Sequence, residues 1–314
     1  MSGPVIDADV TVVEVGPRDG LQSVEHAMPT PAKLRWIDAL AAAGLRRIQV
    51  GSFVSPRALP QMADCADVVR HALTIPGLRV SVLVPNLRYA QLAFDAGVHA
   101  MTIPVSVSDR HSIANVRKTR DETIEEARAI VALRDARYPP TEIEVGLATA
   151  FGCTIQGEVP EDDVIRTARA VAECGVDSIH PADTVGFAGP AQIRRLIPRL
   201  RAEVGEVCGS LHLHDTRGQG LANVVAALDV DVRAFDASHG GLGGCPYAPG
   251  ATGNIVTEDL VFLLESMGLR TGIDIERLVE SRSILAAGLP GEELHGHVAG
   301  AGLPKGFVPA TAAA

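Results

Sequence analysis

VTVVEVGPRDG, at residues 10–20, begins as a β-branched run and ends in a break at Gly16-Pro17. A run of this kind predicts a β-strand followed by a turn. An open, doubly wound sheet would carry the glycine pattern G-x-G-x-x-G directly after its first strand. Residues 16–20 lack that spacing and contain a proline, so this stretch argues against the open sheet.

Strand-like and helix-like segments alternate along the chain beyond this stretch. Eight strand-then-helix units predict a parallel sheet with right-handed crossovers, and eight strands close a barrel. We therefore predict an α/β fold, a (β/α)8 TIM barrel over residues 8–270, with a short helical C-terminal extension and flexible tail over 271–314. The expected strands lie at about 10–15, 45–50, 78–84, 99–105, 142–149, 176–180, 209–214 and 232–238. The expected helices lie at about 30–43, 57–71, 89–95, 121–137, 161–174, 190–204, 220–228, 257–267 and 275–287, with a polar loop from 106 to 120.

Composition narrows the class of protein. The chain has 314 residues, 46% of them hydrophobic, and a formal net charge of −10 without a long basic run, which argues against nucleic acid as a partner. No apolar run approaches about 18 residues and the N-terminus lacks a secretory signal, so no membrane association is expected. The five cysteines are odd in number and widely spaced, which suggests neither a disulfide framework nor a zinc motif and favours a cytoplasmic location.

Two histidines in the seventh predicted strand are candidate metal ligands. His212 and His214 are two residues apart, so their side chains leave the same face of the strand, and two imidazoles so placed can bind one metal ion. A pair of buried histidines, or of exposed ones on a strand edge, remains the alternative. Asp19 after the first strand and Asn254 beyond the eighth could supply oxygen ligands. Such a part-open site suits Mg²⁺ or Mn²⁺, and the ligand types do not exclude Zn²⁺, Co²⁺ or Fe²⁺.

Other polar residues follow apolar runs at the carboxyl ends of strands, where barrels of this kind build their active sites. Arg18, Gln49 and Asp183 are in such positions, and Cys245 lies in a loop rich in glycine that could cover an anionic substrate. Each also has a simpler structural role. Arg18 and Asp19 would form a surface ion pair, Asp183 would cap a turn, Asn254 would be a loop residue, and Cys245 would be an inert buried thiol.

Several of these stretches together resemble the 3-hydroxy-3-methylglutaryl-CoA lyase family, which belongs to the metal-dependent lyase and aldolase barrels. The similarity covers residues 13–260 in one order, essentially the whole predicted barrel. Its most specific parts are VGPRDGLQ at residues 15–22 and GLGGCPYA at residues 241–248. The other matching stretches are GSFVSP (51–56), PNL (85–87), DTVG (183–186), HLHDTRGQ (212–219), GN (253–254) and TEDL (257–260).

The resemblance implies a carbon–carbon lyase with an acyl-CoA substrate. The expected reaction is a metal-dependent retro-Claisen cleavage of 3-hydroxy-3-methylglutaryl-CoA to acetyl-CoA and acetoacetate, with a divalent cation, Mg²⁺ or Mn²⁺, bound to the substrate's hydroxyl and carboxylate. Arg18 would stabilise the thioester enolate, Cys245 would carry protons, and Asp183 and His212 would take part in the acid–base steps. A homo-oligomer, expected to be a dimer, is the predicted assembly. The implied metal ligands are Asp19, His212, His214 and Asn254.

Gln49 departs from the family pattern. Members of this family usually carry glutamate at the corresponding position of the second strand, next to the residue that matches Arg18. The amide keeps the size and hydrogen-bonding reach of glutamate but loses its negative charge. This substitution bears on the substrate more than on the fold, so a lyase for a longer or branched acyl-CoA, such as isohexenylglutaryl-CoA, is the alternative. A Claisen-condensing synthase and a non-catalytic barrel are the remaining hypotheses.

Overall fold

A computed structural model describes residues 8–243 and 253–312 of the chain. Its strands are β1 (Thr11–Glu14), β2 (Arg47–Ser52), β3 (Arg79–Leu83), β4 (Ala100–Ser106), β5 (Glu142–Ala148), β6 (Ser178–Pro181), β7 (Leu211–His212) and β8 (Ala234–Ala237). They form one parallel sheet in the order β6-β5-β4-β3-β2-β1-β8-β7. Parallel bridges from Ile179 to Cys208 and from Ala182 to His212 join its two ends. The predicted eight-stranded barrel is confirmed.

Helices cover the outside of the barrel, as parallel β-strand connections require. None of those in the described ranges combines the length and hydropathy needed to cross a bilayer. The helices are α1 (Thr30–Ala42), α2 (Cys65–Ala72), α3 (Leu87–Ala96), α4 (Asp109–Val116), α5 (Arg120–Arg137), α6 (Glu161–Ala172), α7 (Pro190–Val204), α8 (Gly220–Leu228), α9 (Thr257–Ser266), α10 (Ile275–Gly288) and α11 (Val298–Ala301).

Three sequence predictions about elements were wrong. The polar loop expected after residue 106 contains α4, whose N-cap Ser108 accepts a hydrogen bond from the backbone N–H of His111. The helix expected at 57–71 begins only at Cys65, because Pro60 starts a separate 3₁₀ turn before it. The strand expected at 209–214 is reduced to β7, since the chain turns away to form an antiparallel bridge between His214 and Asn254.

Glu14, the last residue of β1, connects three segments at the mouth of the barrel. Its fully buried carboxyl group accepts hydrogen bonds from the backbone N–H of Gly16 at 2.7 Å, the backbone N–H of His239 at 2.9 Å and the hydroxyl of Thr257 at 2.7 Å. Burial raises the pKa of Glu14 to about 8, although the hydrogen bonds oppose this shift and nearby Glu258 adds to it. Glu14 therefore fixes the turn after β1 to the segments after β8.

The C-terminal extension packs against the same region. Helix α10 lies on α1, and Arg282 of α10 forms an ion pair with the fully buried Glu258. The imidazole of His239 accepts from Trp36 Nε1 at 3.0 Å and donates to the carbonyl of Leu278 at 2.9 Å. These bonds join the extension to the turn after β8. The domain boundary at residue 270 stays a prediction.

Substitution of Glu14 should change how stability depends on pH. A carboxyl group with a higher pKa in the folded protein, about 8 against 4.5, takes up a proton on folding. Its contribution to stability is present in full below pH 4.5 and is lost as the pH rises through 8. Urea unfolding between pH 5 and pH 8.5 should therefore show a smaller loss of stability in Glu14→Gln than in the unsubstituted protein.

The matched variant Glu14→Ala removes the acceptor altogether and leaves three buried donors unpaired. We expect it to unfold at least about 2 kcal/mol more easily than Glu14→Gln at pH 7. Equal pH dependence in Glu14→Gln and the unsubstituted chain would show that Glu14 titrates normally.

Candidate active site

A cavity of about 480 Å³ occupies the barrel from its mouth inward. At the carboxyl ends of the strands it is lined by Arg18, Asp19 and the two candidate histidines. Arg47 and Arg79, the first residues of β2 and β3, also line it, so the cavity reaches toward the amino ends of the strands. Arg18, Asp19, Gln49, His212 and His214, five of the predicted site residues, therefore share one space.

His212 and His214 meet as the alternation of their strand predicted. Their Nε2 atoms lie 3.0 Å apart, and each is 3.9 Å from Oδ2 of Asp19. Burial lowers the pKa of His214 to about 3, with His212 and Arg18 adding to the shift and Asp19 opposing it. His214 is therefore a neutral imidazole near pH 7, the form that binds a metal ion.

Asp19 stands in a short π-helical turn, Gly16–Gly20, directly after β1. Its Oδ1 contacts Arg18 and accepts from Gln22 Nε2 at 2.8 Å, while its Oδ2 accepts from Asn254 Nδ2 at 2.7 Å. Burial alone would raise the pKa of Asp19, but Arg18 and the two histidines outweigh it and lower that pKa to about 2. Arg18 and Asp19 are buried, so they are not the surface ion pair that the sequence left open.

These donors fit a divalent cation. One ligand atom from each of Asp19, His212 and His214 lies within 4.8 Å of the others. Asn254 Oδ1 and His214 Nδ1 are buried and have no hydrogen-bond partner among the described residues. Because buried polar atoms are nearly always paired, the unpaired Oδ1 of Asn254, whose amide nitrogen is bonded to Asp19, is a further candidate ligand atom. Two nitrogens and at least one carboxylate oxygen form a donor set that suits Mg²⁺, Mn²⁺ or a heavier divalent ion.

Asp236 in β8 orients one of the histidines, and the sequence analysis missed it. His212 Nδ1 donates to Asp236 Oδ2 at 3.2 Å, and Ser210 donates to Oδ1 at 3.1 Å. Burial acts to raise the pKa of Asp236, but the hydrogen bond from His212 and its charge hold that pKa below the usual range. With a proton on Nδ1 directed at Asp236, Nε2 is the nitrogen of His212 that faces His214 and Asp19 as a candidate ligand atom.

Arg18 and Gln49 lie side by side at the mouth. Arg18 Nε donates to Gln49 Oε1 and Arg18 Nη1 donates to Asp19, so the guanidinium is held on two sides. Its Nη2 makes no hydrogen bond with any residue in the described ranges. A cation fixed in this way, next to the metal ligands and lining the cavity, can stabilise an anion formed there.

Asp183 and Cys245 are in a different position from the other candidates. The Asp183 carboxylate accepts from the backbone N–H of Phe187 at 2.7 Å and of Ala188 at 3.1 Å, which is the turn role considered as its alternative. Asp183 does not line the cavity, although burial raises its pKa to about 6 against these hydrogen bonds. Cys245 and most of the glycine-rich loop lie outside the described residues. The catalytic roles of both residues stay predictions.

Further polar residues of the cavity were also missed. Thr102 and Glu144 lie inside the barrel in β4 and β5, and His111 of α4 lines the cavity near its mouth. Glu144 alternates with apolar Ile143 and Val145, a pattern that could have revealed an inward-facing charge. For His111 the available signal was the cap at Ser108 that starts α4.

Comparison with known proteins identifies the family. The model of the HMGL-like family matches residues 9–285. This chain belongs to the HMGL-like family. It is 38% identical over 272 residues to the hydroxymethylglutaryl-CoA lyase of Bacillus subtilis, covering 87% of this chain and 90% of that protein. It is 38% identical over 280 residues to the mitochondrial hydroxymethylglutaryl-CoA lyase of Gallus gallus, covering 89% of this chain and 93% of that one.

The solved structures agree with this family. An HMG-CoA lyase from Acinetobacter baumannii, in complex with coenzyme A and 3-methylmalate, has a TM-score of 0.89 at 37% identity, covering 98% of this chain and 99% of its own. The HMG-CoA lyase of Pseudomonas aeruginosa has a TM-score of 0.88 at 35% identity, covering 94% and 97%. The carbon–carbon lyase class and the TIM-barrel fold predicted from the sequence are confirmed.

Removal of the Asp236 carboxylate should weaken metal binding. Asp236→Ala frees His212 to rotate and to move its proton to Nε2, so we expect Mn²⁺ affinity to fall about 10- to 100-fold. Asp236→Asn keeps an acceptor for His212, so its Mn²⁺ affinity should lie between those of the unsubstituted protein and Asp236→Ala. The control is Asp135→Ala on the outside of α5, where the side chain is 63% exposed. Mn²⁺ titration by electron paramagnetic resonance measures the affinity, and unchanged binding in Asp236→Ala would contradict this role.

Proposed function

We propose that this protein cleaves 3-hydroxy-3-methylglutaryl-CoA to acetyl-CoA and acetoacetate in a metal-dependent retro-Claisen reaction. The observation that carries the proposal is the cluster of Asp19, His212 and His214 beside Arg18 at the mouth of the barrel. Relatives that cover most of the chain are hydroxymethylglutaryl-CoA lyases, which supports this choice of reaction. The same residues would be needed to cleave any 3-hydroxy-3-carboxymethyl acyl-CoA.

The cation site consists of side chains from three parts of the barrel. Asp19, His212, His214 and Asn254 would hold the ion, and Mg²⁺ or Mn²⁺ is the cation that we propose. When bound, a divalent cation supplies Lewis-acid polarisation of the substrate's tertiary hydroxyl and carboxylate oxygens. Asp236 keeps the Nε2 lone pair of His212 directed at the site, and Asn254 keeps Oδ2 of Asp19 in place through its amide N–H.

Arg18 is the residue that we propose stabilises the enolate formed when the substrate is cleaved. Cleavage of the C2–C3 bond leaves negative charge on the thioester enolate of acetyl-CoA. The guanidinium of Arg18, held by Gln49 and Asp19, offers its charge and its Nη2 protons to that oxygen without having to reorganise. Arg18 would therefore contact the reacting atoms directly and is a proposed catalytic residue.

Proton transfer is assigned to three residues. The tertiary hydroxyl must lose a proton and the enolate carbon must gain one. We propose Cys245 as the carrier that delivers a proton to the enolate carbon, with His212 and Asp183 taking part in removal of the hydroxyl proton. With its Nδ1 proton held by Asp236, His212 can either bind the cation or accept a proton through Nε2, so a proton-accepting His212 would first have to release the cation. The carboxylate of Asp183 is bonded to the backbone of Phe187 and Ala188, and only its backbone N–H contacts His212, so it would act from outside the cavity.

The relatives of this chain favour the substrate with the short 3-methyl substituent, because those that cover most of its length are hydroxymethylglutaryl-CoA lyases. The cavity itself has a mixed lining. Thr102 and Glu144 inside the barrel are hydrogen-bonded within the protein, and apolar side chains such as Val54, Leu59 and Leu83 line the same space. Isohexenylglutaryl-CoA, the alternative suggested by Gln49, is the less favoured substrate on the ground of similarity.

The proposal also includes the substrate class, the assembly and the location. The acyl-CoA partner is supported by the Acinetobacter baumannii lyase, whose structure contains coenzyme A. The homodimer rests on the family resemblance, and the cytoplasmic location rests on cysteine usage. The four cysteines of the described ranges, Cys65, Cys153, Cys174 and Cys208, are unpaired thiols.

A panel of thioesters tests the reaction. With Mg²⁺ or Mn²⁺ we expect release of acetyl-CoA and acetoacetate from 3-hydroxy-3-methylglutaryl-CoA, and a kcat/KM for the isohexenyl analogue at least about 10-fold lower. A coupled assay for acetyl-CoA and for the keto acid measures both products. Absence of turnover on every member of the panel would refute the lyase function.

Removal of one ligand tests the cation site. His212→Ala should lower metal-dependent kcat by at least about 10³-fold, because it removes one of the proposed cation ligands. The control is His71→Ala, which removes an imidazole from the outer surface, where it pairs with Asp38. Turnover of His212→Ala at the control's rate would exclude the histidine pair from the site.

A further inference from the structure

A chain of hydrogen bonds runs from Arg18 into the interior of the barrel. Gln49 Oε1 accepts from Arg18 Nε, and Gln49 Nε2 donates to Thr102 Oγ1 at 2.9 Å. The Thr102 hydroxyl in turn donates to Glu144 Oε2 at 3.1 Å, and Glu144 Oε1 accepts from Arg47 Nη2 at 3.1 Å. The chain therefore links side chains from the turn after β1 and from strands β2, β4 and β5.

From Arg18 to Glu144, every hydrogen bond in this series runs in the same donor-to-acceptor direction. A carboxylate can only accept, so the Thr102 hydroxyl gives its one proton to Glu144 and offers its lone pairs to Gln49. The Gln49 amide must then present Nε2 to Thr102 and Oε1 to Arg18. The flipped amide would place two N–H groups against the Arg18 guanidinium and two oxygens against each other at Thr102. Glu144 thus selects the amide orientation in which Gln49 holds Arg18.

The members of this chain are well enclosed. Gln49, Thr102 and Glu144 are between 5% and 8% exposed, so water does not compete freely for their hydrogen bonds. Arg47 holds the far end, because its ion pair occupies the oxygen of Glu144 that does not face Thr102. Gln49, Thr102 and Glu144 are therefore each hydrogen-bonded to two partners.

We propose that Thr102 and Glu144 are positioning residues for the cleavage reaction, acting on Arg18 through Gln49. A glutamate at position 49 would bind Arg18 in either orientation, since both of its oxygens accept. The amide found here does so in only one. The negative charge that a glutamate at position 49 would carry is instead found two hydrogen bonds away from Gln49, on Glu144, and the hydroxyl of Thr102 transmits its orienting effect. This inference rests on the proposed role of Arg18 in stabilising the enolate.

Two substitutions at Thr102 give the first test. Thr102→Val has nearly the same shape but removes the hydroxyl, so the Gln49 amide loses one of the two contacts that orient it, whereas Thr102→Ser keeps the hydroxyl. We expect Thr102→Val to lower kcat about 5- to 30-fold with little change in KM, and Thr102→Ser to stay close to the unsubstituted rate. Thermal unfolding and Mn²⁺ titration should show that both variants are folded and bind metal as before.

The decisive test repeats Thr102→Val in a Gln49→Glu background. A glutamate needs no orienting hydroxyl, so there Thr102→Val should change kcat less than about twofold, whereas a merely structural role for Thr102 would lower kcat equally in both backgrounds. Equal losses in the two backgrounds would overturn the proposal. So would unsubstituted activity of Thr102→Val in the Gln49 background.

These experiments also separate failure of the positioning role from failure of the proposed function. If Gln49→Glu is itself inactive, the pair Thr102→Val and Thr102→Ser decides, and equal rates for the two overturn the proposal. If the unsubstituted protein cleaves no thioester of the panel, the proposed function fails first. If it cleaves one and Thr102→Val matches it, only the positioning role fails.

Discussion

The carboxylate of Asp19 is the group on which the mouth of this barrel depends. It is buried, and a buried charge is tolerated only when it is paired and hydrogen-bonded. Its partners come from three places: Arg18 from its own turn, the two histidines from the end of β7 and the residues just after it, and Asn254 from the segment after β8. Satisfying this one charge therefore draws strand ends that are distant in the sequence into a single site.

The surroundings of two acidic groups near each other in the chain shift their pKa values in opposite directions. Asp19 has the guanidinium of Arg18 and two histidines beside it, which outweigh the effect of burial and lower its pKa to about 2. Glu14, five residues earlier, has hydrogen-bond donors but Glu258 nearby, and burial raises its pKa to about 8. The first is a permanent anion suited to binding a cation. The second connects β1 with the segments after β8 while carrying a proton at moderate pH, so it adds no charge beneath the site.

The sequence was sufficient for the parts of the molecule that repeat or that lie close together in the chain. The alternation of strands and helices predicted the barrel, and the spacing of His212 and His214 predicted that their side chains would meet. It was insufficient where distant segments determine the outcome. β7 is short because the chain at His214 pairs with Asn254, forty residues later. Asp236 looks like an ordinary strand residue until β8 is placed beside β7, where it contacts His212.

Gln49 shows how one neutral side chain affects the interior of a barrel. A carboxylate is symmetric, so it holds a guanidinium whatever lies behind it. An amide has one oxygen and one nitrogen, so neighbouring groups must fix which of the two faces Arg18. That requirement is met by a hydroxyl and a carboxylate inside the barrel, where branched apolar residues usually fill the layers. Glu144 in turn requires Arg47, and the polar cavity that results extends the site inward from its mouth. The neutral side chain at position 49 and the polar interior of the barrel therefore depend on each other.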